Sequence, residues 1–375
     1  MAEDKPLKIG IMLELSGNFS SSGTSALHGF QYVLQQHGGK LGGRTVETVI
    51  EDNAGDPATA IVKVKKLVES DKVDVLFGPV SSGTGAAVRN YIIEQKIPTM
   101  MGSTVAEVLD GKYMLRTSFD GNVDGYLQGF LAGAAGHKKA VLLAPNYLAG
   151  QSAEQYFEKG FNDAGGTVVQ KLLPRIGATD YGSFIAQISP EADCAIIFFP
   201  GADAVRFLKQ FADYGTKLPL FGFTSTVDET LLPAEGQAAV GFVGASQYFS
   251  TISTPENQGF LRDWNAAHKD APEKTSWLTL SGWIAASTLD QAVGRVHGDI
   301  SDTEKFLSAL KETKLVTPAG PFRFDANQNP ILPRYIVQIR EVQGTVQPVV
   351  IGTIPEFVPL MKPPTLPGDL VWPKG

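Results

Sequence analysis

Short β-branched runs alternate with longer amphipathic segments along most of the chain, the pattern of a parallel sheet whose strands are joined by crossover helices. The first round reads strand 7–13 (LKIGIML), helix 25–36 closed by Gly38-Gly39, strand 45–51, and helix 57–70 with Pro57 in its first turn. Strand 73–77, a helix from Thr84 to Glu94 and strand 97–101 follow. A second round starts near residue 120, with helices 126–135, 152–164, 181–188 and 204–214 set among strands 140–144, 167–173, 194–199 and 218–223. Beyond it the tandem breaks. Segments 257–268 and 276–294 read as helices, 320–325 as a strand, and 335–342 with 347–351 as a hairpin-like pair. From Pro355 a proline recurs every few residues, which predicts a tail without regular structure. Two similar α/β halves in tandem imply two lobes with a ligand cleft between them.

Composition narrows the classes. The 375 residues are 43% hydrophobic and 19% charged, enough for two ordinary globular domains. No apolar stretch approaches the roughly 18–20 residues of a membrane-spanning helix. The net charge of −7 comes without a basic cluster able to track a phosphate backbone, which disfavours nucleic acid as a partner. One cysteine, Cys194, lies in the apolar run 194–199 and reads as a small buried hydrophobe; a single thiol makes neither an internal disulfide nor a cysteine-based zinc site. The start, Met1-Ala-Glu-Asp-Lys-Pro, reads as a mature terminus with a methionine where a signal peptide was removed, although a cytosolic protein would look the same.

Enzyme chemistry is not discernible. Gly38-Gly39-Lys40-Leu41-Gly42-Gly43 superficially resembles a dinucleotide loop, but it follows a helix and precedes a strand, the reverse of what a pyrophosphate site needs. The five histidines, His28, His37, His137, His268 and His297, are scattered without metal-ligand spacing, so neither a metal nor a cofactor is expected. Asn18-Phe19-Ser20 reads as a chance sequon. What stands out is a set of hydroxyl- and glycine-rich loops after strands: 16–23, 81–84, 102–104 and 224–226. In open α/β sheets ligands bind at these strand ends, where helix N-termini present free N–H groups suited to a carboxylate. Ser82 is a candidate cap for the helix that follows it.

These residues resemble a known family. KIGIMLELSG, GTSALHGF, EDNAGDPATAIVKVKKLV, VDVLFGPVSSG, IPTMMGSTVAEVL, LRTSFD, NYLAGQ, FFPGADAVRFLKQF and GPFRFD are similar, in register from about Lys8 to Arg340, to the branched-chain amino acid-binding proteins of ABC importers. The resemblance implies a type I periplasmic-binding fold: two doubly wound parallel-sheet lobes joined by three crossings and closing by hinge motion. The division it suggests is 1–119 plus 250–326 for one lobe and 120–249 plus 327–375 for the other. It further implies a periplasmic, non-enzymatic, monomeric protein whose partners are a small carboxylate and the importer's membrane subunits.

Carried across position by position, the family's carboxylate site falls on Ser82, the backbone at Gly102, and Ser103 and Thr104. Four positions depart from the pattern. Ser22 stands where the amino acid binders have a tyrosine, Ala149 precedes Gly150 where they have another, Ala202 occupies the next loop, and Thr224 falls at the glutamate that accepts the ligand's ammonium. A buried ammonium without a carboxylate partner is costly, so the retained cradle with a lost acceptor points to an acid lacking the amine, with an aromatic acid of the benzoate or phenylpropenoate kind favoured. Phe19, Tyr147, Phe223, Tyr248 and Trp277 are candidate walls, each equally compatible with core packing. Asp120 and Asp124 lie near the first crossing and are the candidates to rescue an ammonium, the reading in which the cargo is an amino acid or amide; Arg116 reads as framework. A cytosolic ligand sensor on the same fold is the further alternative, and only six residues precede Leu7 to hold a DNA-binding module.

Overall fold

The computed structural model describes residues 5–102, 112–270, 273–358 and 362–372. The chain divides into two compact units, Met1–Asp120 with Thr254–Leu332 and Gly121–Ser253 with Pro333–Gly375. Among the described residues no helix is long and apolar enough to cross a membrane.

The first unit opens with β1 (Leu7–Leu13), a 3-10 turn at Gly17–Phe19 and α1 (Ser20–Gln36). β2 (Lys40–Leu41), β3 (Arg44–Asp52), α2 (Pro57–Lys65, continuing as a wider turn to Ser70), β4 (Val75–Phe77), α3 (Ser82–Gln95), β5 (Thr99–Met101) and β6 (Met114–Arg116) follow. The sheet order is β2-β3-β1-β4-β5-β6, parallel except for the β2–β3 hairpin. β1 is central and covered on both faces, which is why it reads as a continuous apolar run rather than an alternating one.

The second unit begins with α4 (Gly121–Ala134), β7 (Lys139–Leu143), α5 (Leu148–Asp163) and β8 (Thr167–Leu172). It continues through α6 (Gly182–Ile185), β9 (Cys194–Ile197), α7 (Ala202–Asp213), β10 (Leu220–Gly222), α8 (Leu232–Glu235) and β11 (Val243–Ser246). The chain then returns to the first unit with α9 (Pro255–Ala267), α10 (Trp277–Arg295), α11 (Thr303–Lys311) and the hairpin β12 (Lys314–Thr317) and β13 (Gly320–Phe324). β14 (Pro330–Val342) starts beside β13 and, in the second unit, pairs antiparallel with β11 and then with β15 (Thr345–Phe357). The second unit's strands run β8-β7-β9-β10-β11-β14-β15.

The five parallel strands of each unit therefore follow one winding. The second strand lies outside the first, and the third, fourth and fifth lie on its other side. Such a sheet reverses direction beside its first strand, and the crevice beyond the carboxyl ends of the first and third strands is where ligands bind in doubly wound folds. That crevice is formed by the segments after β1 and β4 in the first unit, and after β7 and β9 in the second.

α10 packs along α1. A side chain at Gly282 would strike the Ala26 carbonyl and the Phe30 amide, and one at Gly29 the Thr279 carbonyl, so both glycines permit close helix contact. Asp290, two turns beyond Gly282, meets His37, so the two helices ascend together. The first turn of α10 thus lies at the same end of the unit as that of α1, the carboxyl ends of the strands. Thr117 just after β6 bonds Ser281 at 2.7 Å, which fixes the same end. Ser276 caps α10 in a capping box with Thr279.

Several sequence expectations shift. Ser82 is the first residue of α3, not its cap; Ser81 holds the cap position without a side-chain cap bond. Helix 181–188 contracts to Gly182–Ile185, while α1, α4 and α5 begin four or five residues earlier than their apolar stripes suggest. β15 extends the late strand to Phe357, past the first proline of the tail. The two-residue link of the late hairpin, Gln343-Gly344, carries positive φ at both positions (50° and 77°), the geometry of a tight hairpin turn.

Candidate binding site

In the first unit the segment after β1 contributes a residue that motif reading passed over. Glu14 is fully buried. Its Oε2 accepts the Val80 amide at 3.1 Å, and its Oε1 accepts the Ser81 amide at 3.2 Å, the Thr84 hydroxyl at 2.6 Å and the Asn53 side-chain amide at 3.2 Å. Burial pushes its carboxyl above the usual range, and the bonds from Thr84, Val80 and Ser81 pull it back. An acid at this depth persists because these donors replace water. Glu14 thereby fastens the N-terminus of α3 to the end of β1 and uses two of the amides leading into it.

Ser82, 3% exposed, follows directly in the first turn of α3. Ser22 is half-buried in the first turn of α1, Phe19 is buried just before it, and Gly102 is buried after β5, its carbonyl accepting the Ser118 hydroxyl at 2.8 Å. Ser103 and Thr104 lie outside the described residues. Trp277 opens α10 with its ring 4.9 Å from that of Phe119, and its buried Nε1–H meets no acceptor among the described residues. A buried indole N–H usually has a partner, so this donor stands ready for one.

The two acids near the first crossing are committed elsewhere. Asp120 lies 2.8 Å from the guanidinium of Arg116, both buried, and Arg116 also donates to Asn329 at 2.5 Å. Asp124, in α4, receives both the Nε and an Nη of Arg334, at 2.6 and 3.0 Å. Each acid is neutralised by an arginine in its own unit. The framework reading of Arg116 holds.

At the second unit's switch point the chemistry is aromatic. Tyr147, the residue before α5, stacks near Phe198 (6.3 Å between centroids), Phe198 meets Phe223 edge-on at 5.2 Å, and Phe223 tilts against Phe157 at 5.2 Å. Burial, with the charge of Asp203 adding to it, pushes the Tyr147 phenol far above its ordinary value. Ala149 is buried in the first turn of α5, Ala202 is the half-buried first residue of α7, Thr224 is buried in the turn after β10, and Tyr248 is buried after β11. Because β7, β9, β10 and β11 are parallel, all four positions fall at one end of the sheet. Phe198 was not singled out in the sequence, since it reads as one more residue of an apolar strand.

His137 lies beside Asp193 and Cys194, 56 and 57 positions further along the chain, and donor atoms of the three come within 4.8 Å of one another. Sequence spacing carries no sign of this cluster, which arises because β7 and β9 are neighbours.

The chain belongs to the periplasmic binding protein family, whose model matches residues 6–345. It is 27% identical over 344 residues to a Leu/Ile/Val-binding protein homolog 6 from Brucella melitensis, covering 90% of this chain and 87% of that one. Among solved structures it resembles an ABC transporter solute-binding protein from R. palustris in complex with benzoate, at 30% identity and a TM-score of 0.88 over 94% of this chain and 98% of that one. It also resembles an ABC transporter substrate-binding protein from Sphaerobacter thermophilus, at 32% identity and a TM-score of 0.87 over 96% and 100% of the two chains. The type I periplasmic-binding architecture expected from the sequence is the one observed.

Proposed function

We propose that this protein is the periplasmic solute-binding subunit of an ABC importer, that it performs no catalysis, and that its cargo is an aromatic carboxylic acid without an α-amine. Ser82, in the first turn of α3, gives the cargo carboxylate a hydroxyl and a helix N-terminus, and Gly102 lies after the neighbouring strand. The indole N–H of Trp277 is a further donor suited to an anion or a ring hydroxyl.

The observation that carries the reading is the pairing of Asp120 with Arg116 and of Asp124 with Arg334. An acid already facing a buried guanidinium is a poor acceptor for a cargo ammonium, and Thr224 supplies no charge in its place. Ser22, Ala149 and Ala202 are small where the amino acid binders carry larger side chains, which leaves room for a ring. The second unit's Tyr147, Phe198 and Phe223 are chemically suited to one. The benzoate bound by the R. palustris protein supports the same reading.

A second reading, a branched-chain amino acid cargo, is favoured by the Brucella relative. Calorimetric titration of unliganded protein with benzoates, phenylpropenoates, leucine and valine separates the two. Aromatic acids alone are expected to give heat; tight leucine or valine binding with no response to aromatic acids overturns the cargo assignment and leaves the importer role standing.

A further inference from the structure

We propose that His137, Asp193 and Cys194 form a zinc-type metal site in the second unit, at the end of the sheet opposite the switch-point loops. His137 stands just before β7, and Asp193 and Cys194 stand at the start of β9. Ala140 pairs with Cys194, and the Asp193 amide donates to the Lys139 carbonyl at 2.8 Å, so the beginnings of both strands are held in register. All three donor atoms lie within 4.8 Å of one another, and His137 Nδ1 is already 3.4 Å from Asp193 Oδ1. Ligand atoms around a tetrahedral zinc ion sit roughly 3.3–3.8 Å apart, so closure needs side-chain shifts of about 1 Å.

The surroundings are those of a ligating set. Asp193 Oδ2 accepts the Lys138 amide at 2.8 Å, which orients Oδ1 toward His137, and the imidazole rests against the Phe221 ring at 5.2 Å. Outer contacts of this kind hold first ligands in place at metal centres. His137 also lines a cavity of about 510 Å3 with Phe221, Lys217, Phe242 and Gln338. Cys194 is sealed beneath, fully buried. Imidazole, carboxylate and thiolate together suit zinc(II) or cobalt(II) better than calcium or magnesium, which take oxygen ligands. Binding forms one metal–sulfur bond, and the thiol proton leaves to solvent.

Cobalt(II) and zinc(II), each added alone to metal-free full-length protein, test the site. One equivalent of cobalt is expected to produce a thiolate-to-cobalt charge-transfer band that zinc abolishes. Cys194→Ser removes the band, and His137→Gln, at a partly exposed position, weakens zinc binding at least roughly tenfold by calorimetry. No charge-transfer band in the wild-type protein, or unchanged zinc affinity in His137→Gln, overturns the assignment. Neither readout involves the cargo residues, so the outcome is independent of the cargo reading.

Discussion

The two switch points share one strand order and differ in chemistry. After β1 and β4 the first unit gathers a buried acid and three hydroxyls, Glu14, Ser81, Ser82 and Thr84, with the Asn53 amide reaching in from the end of β3. After β7 and β9 the second unit gathers rings, Tyr147 and Phe198, backed by Phe223 and Phe157. One winding thus gathers polar groups beyond the strand ends of one unit and rings beyond those of the other. Fold sets where a ligand is held, and the few residues beyond the strand ends set which ligand that is.

The largest effect expected from breaking the polar side is Glu14→Ala. It strands the amides of Val80 and Ser81, the Thr84 hydroxyl and the Asn53 amide together, and is expected to cost about 3–5 kcal/mol in denaturant unfolding. On the apolar side, Phe223→Ala opens a cavity among Phe157 and Phe198 and is expected to cost about 3 kcal/mol of stability in the same experiment. Ser82→Ala leaves the fold intact and weakens cargo binding by roughly 1–3 kcal/mol in calorimetry, as for a lost hydrogen bond to a charged group. An unchanged affinity would move the cradle elsewhere.

A pH-dependent effect contrasts two buried acids. Glu14 is bonded on both oxygens, whereas Glu235 is buried with neither oxygen bonded among the described residues. Burial, and then the charge of Asp228, raises the Glu235 carboxyl from 4.5 to about 9. The folded chain therefore keeps a proton that the unfolded chain releases between those values, and stability falls as pH rises through that window. Glu235→Gln cannot ionise. Its melting temperature is expected to match wild type near pH 4 and to exceed it by a growing margin toward pH 9, read by thermal melts across pH. A constant difference would mean that Glu235 does not titrate in this range.

Much of the architecture was legible because apolar periodicity is a property of burial. LKIGIML read as a buried strand, and PATAIVKVKKLVES carried its own start signal in Pro57; Asp56 before it caps the helix, accepting the Thr59 amide at 2.7 Å. Four strands escaped: β2, β6, β11 and β12. β6 is three residues long, and β11 (VGAS) is built of small residues whose strand character comes from pairing with β10 and β14 rather than from their own propensity. The helix expected at 181–188 fails for a related reason. Tyr181 is anchored by Gln210 and meets Phe199 and Phe207 edge-on, so tertiary contacts hold it outside the turn, as its N-cap.

The site was legible only in part. Hydroxyl-rich loops after strands announce themselves, and Ser82 was singled out that way. Glu14 was not, although a lone acid between Leu13 and Leu15 at the end of an apolar strand is the signal that marks it. The partner of Asp120, Arg116, stands only four residues upstream, whereas Asp124 depends on Arg334, brought close by folding from 210 positions away. Nothing in local sequence distinguishes a paired acid from one awaiting a ligand.

The proposed cargo lacks an α-ammonium, and a matched pair of ligands isolates that feature. 3-Phenylpropanoate and phenylalanine share one carbon skeleton and one carboxylate and differ by the α-ammonium alone. Calorimetric titration of both into the unliganded protein is expected to show the propanoate binding at least about 100-fold more tightly, a difference of roughly 3 kcal/mol or more. Phenylalanine binding as tightly as 3-phenylpropanoate, or more tightly, would contradict it.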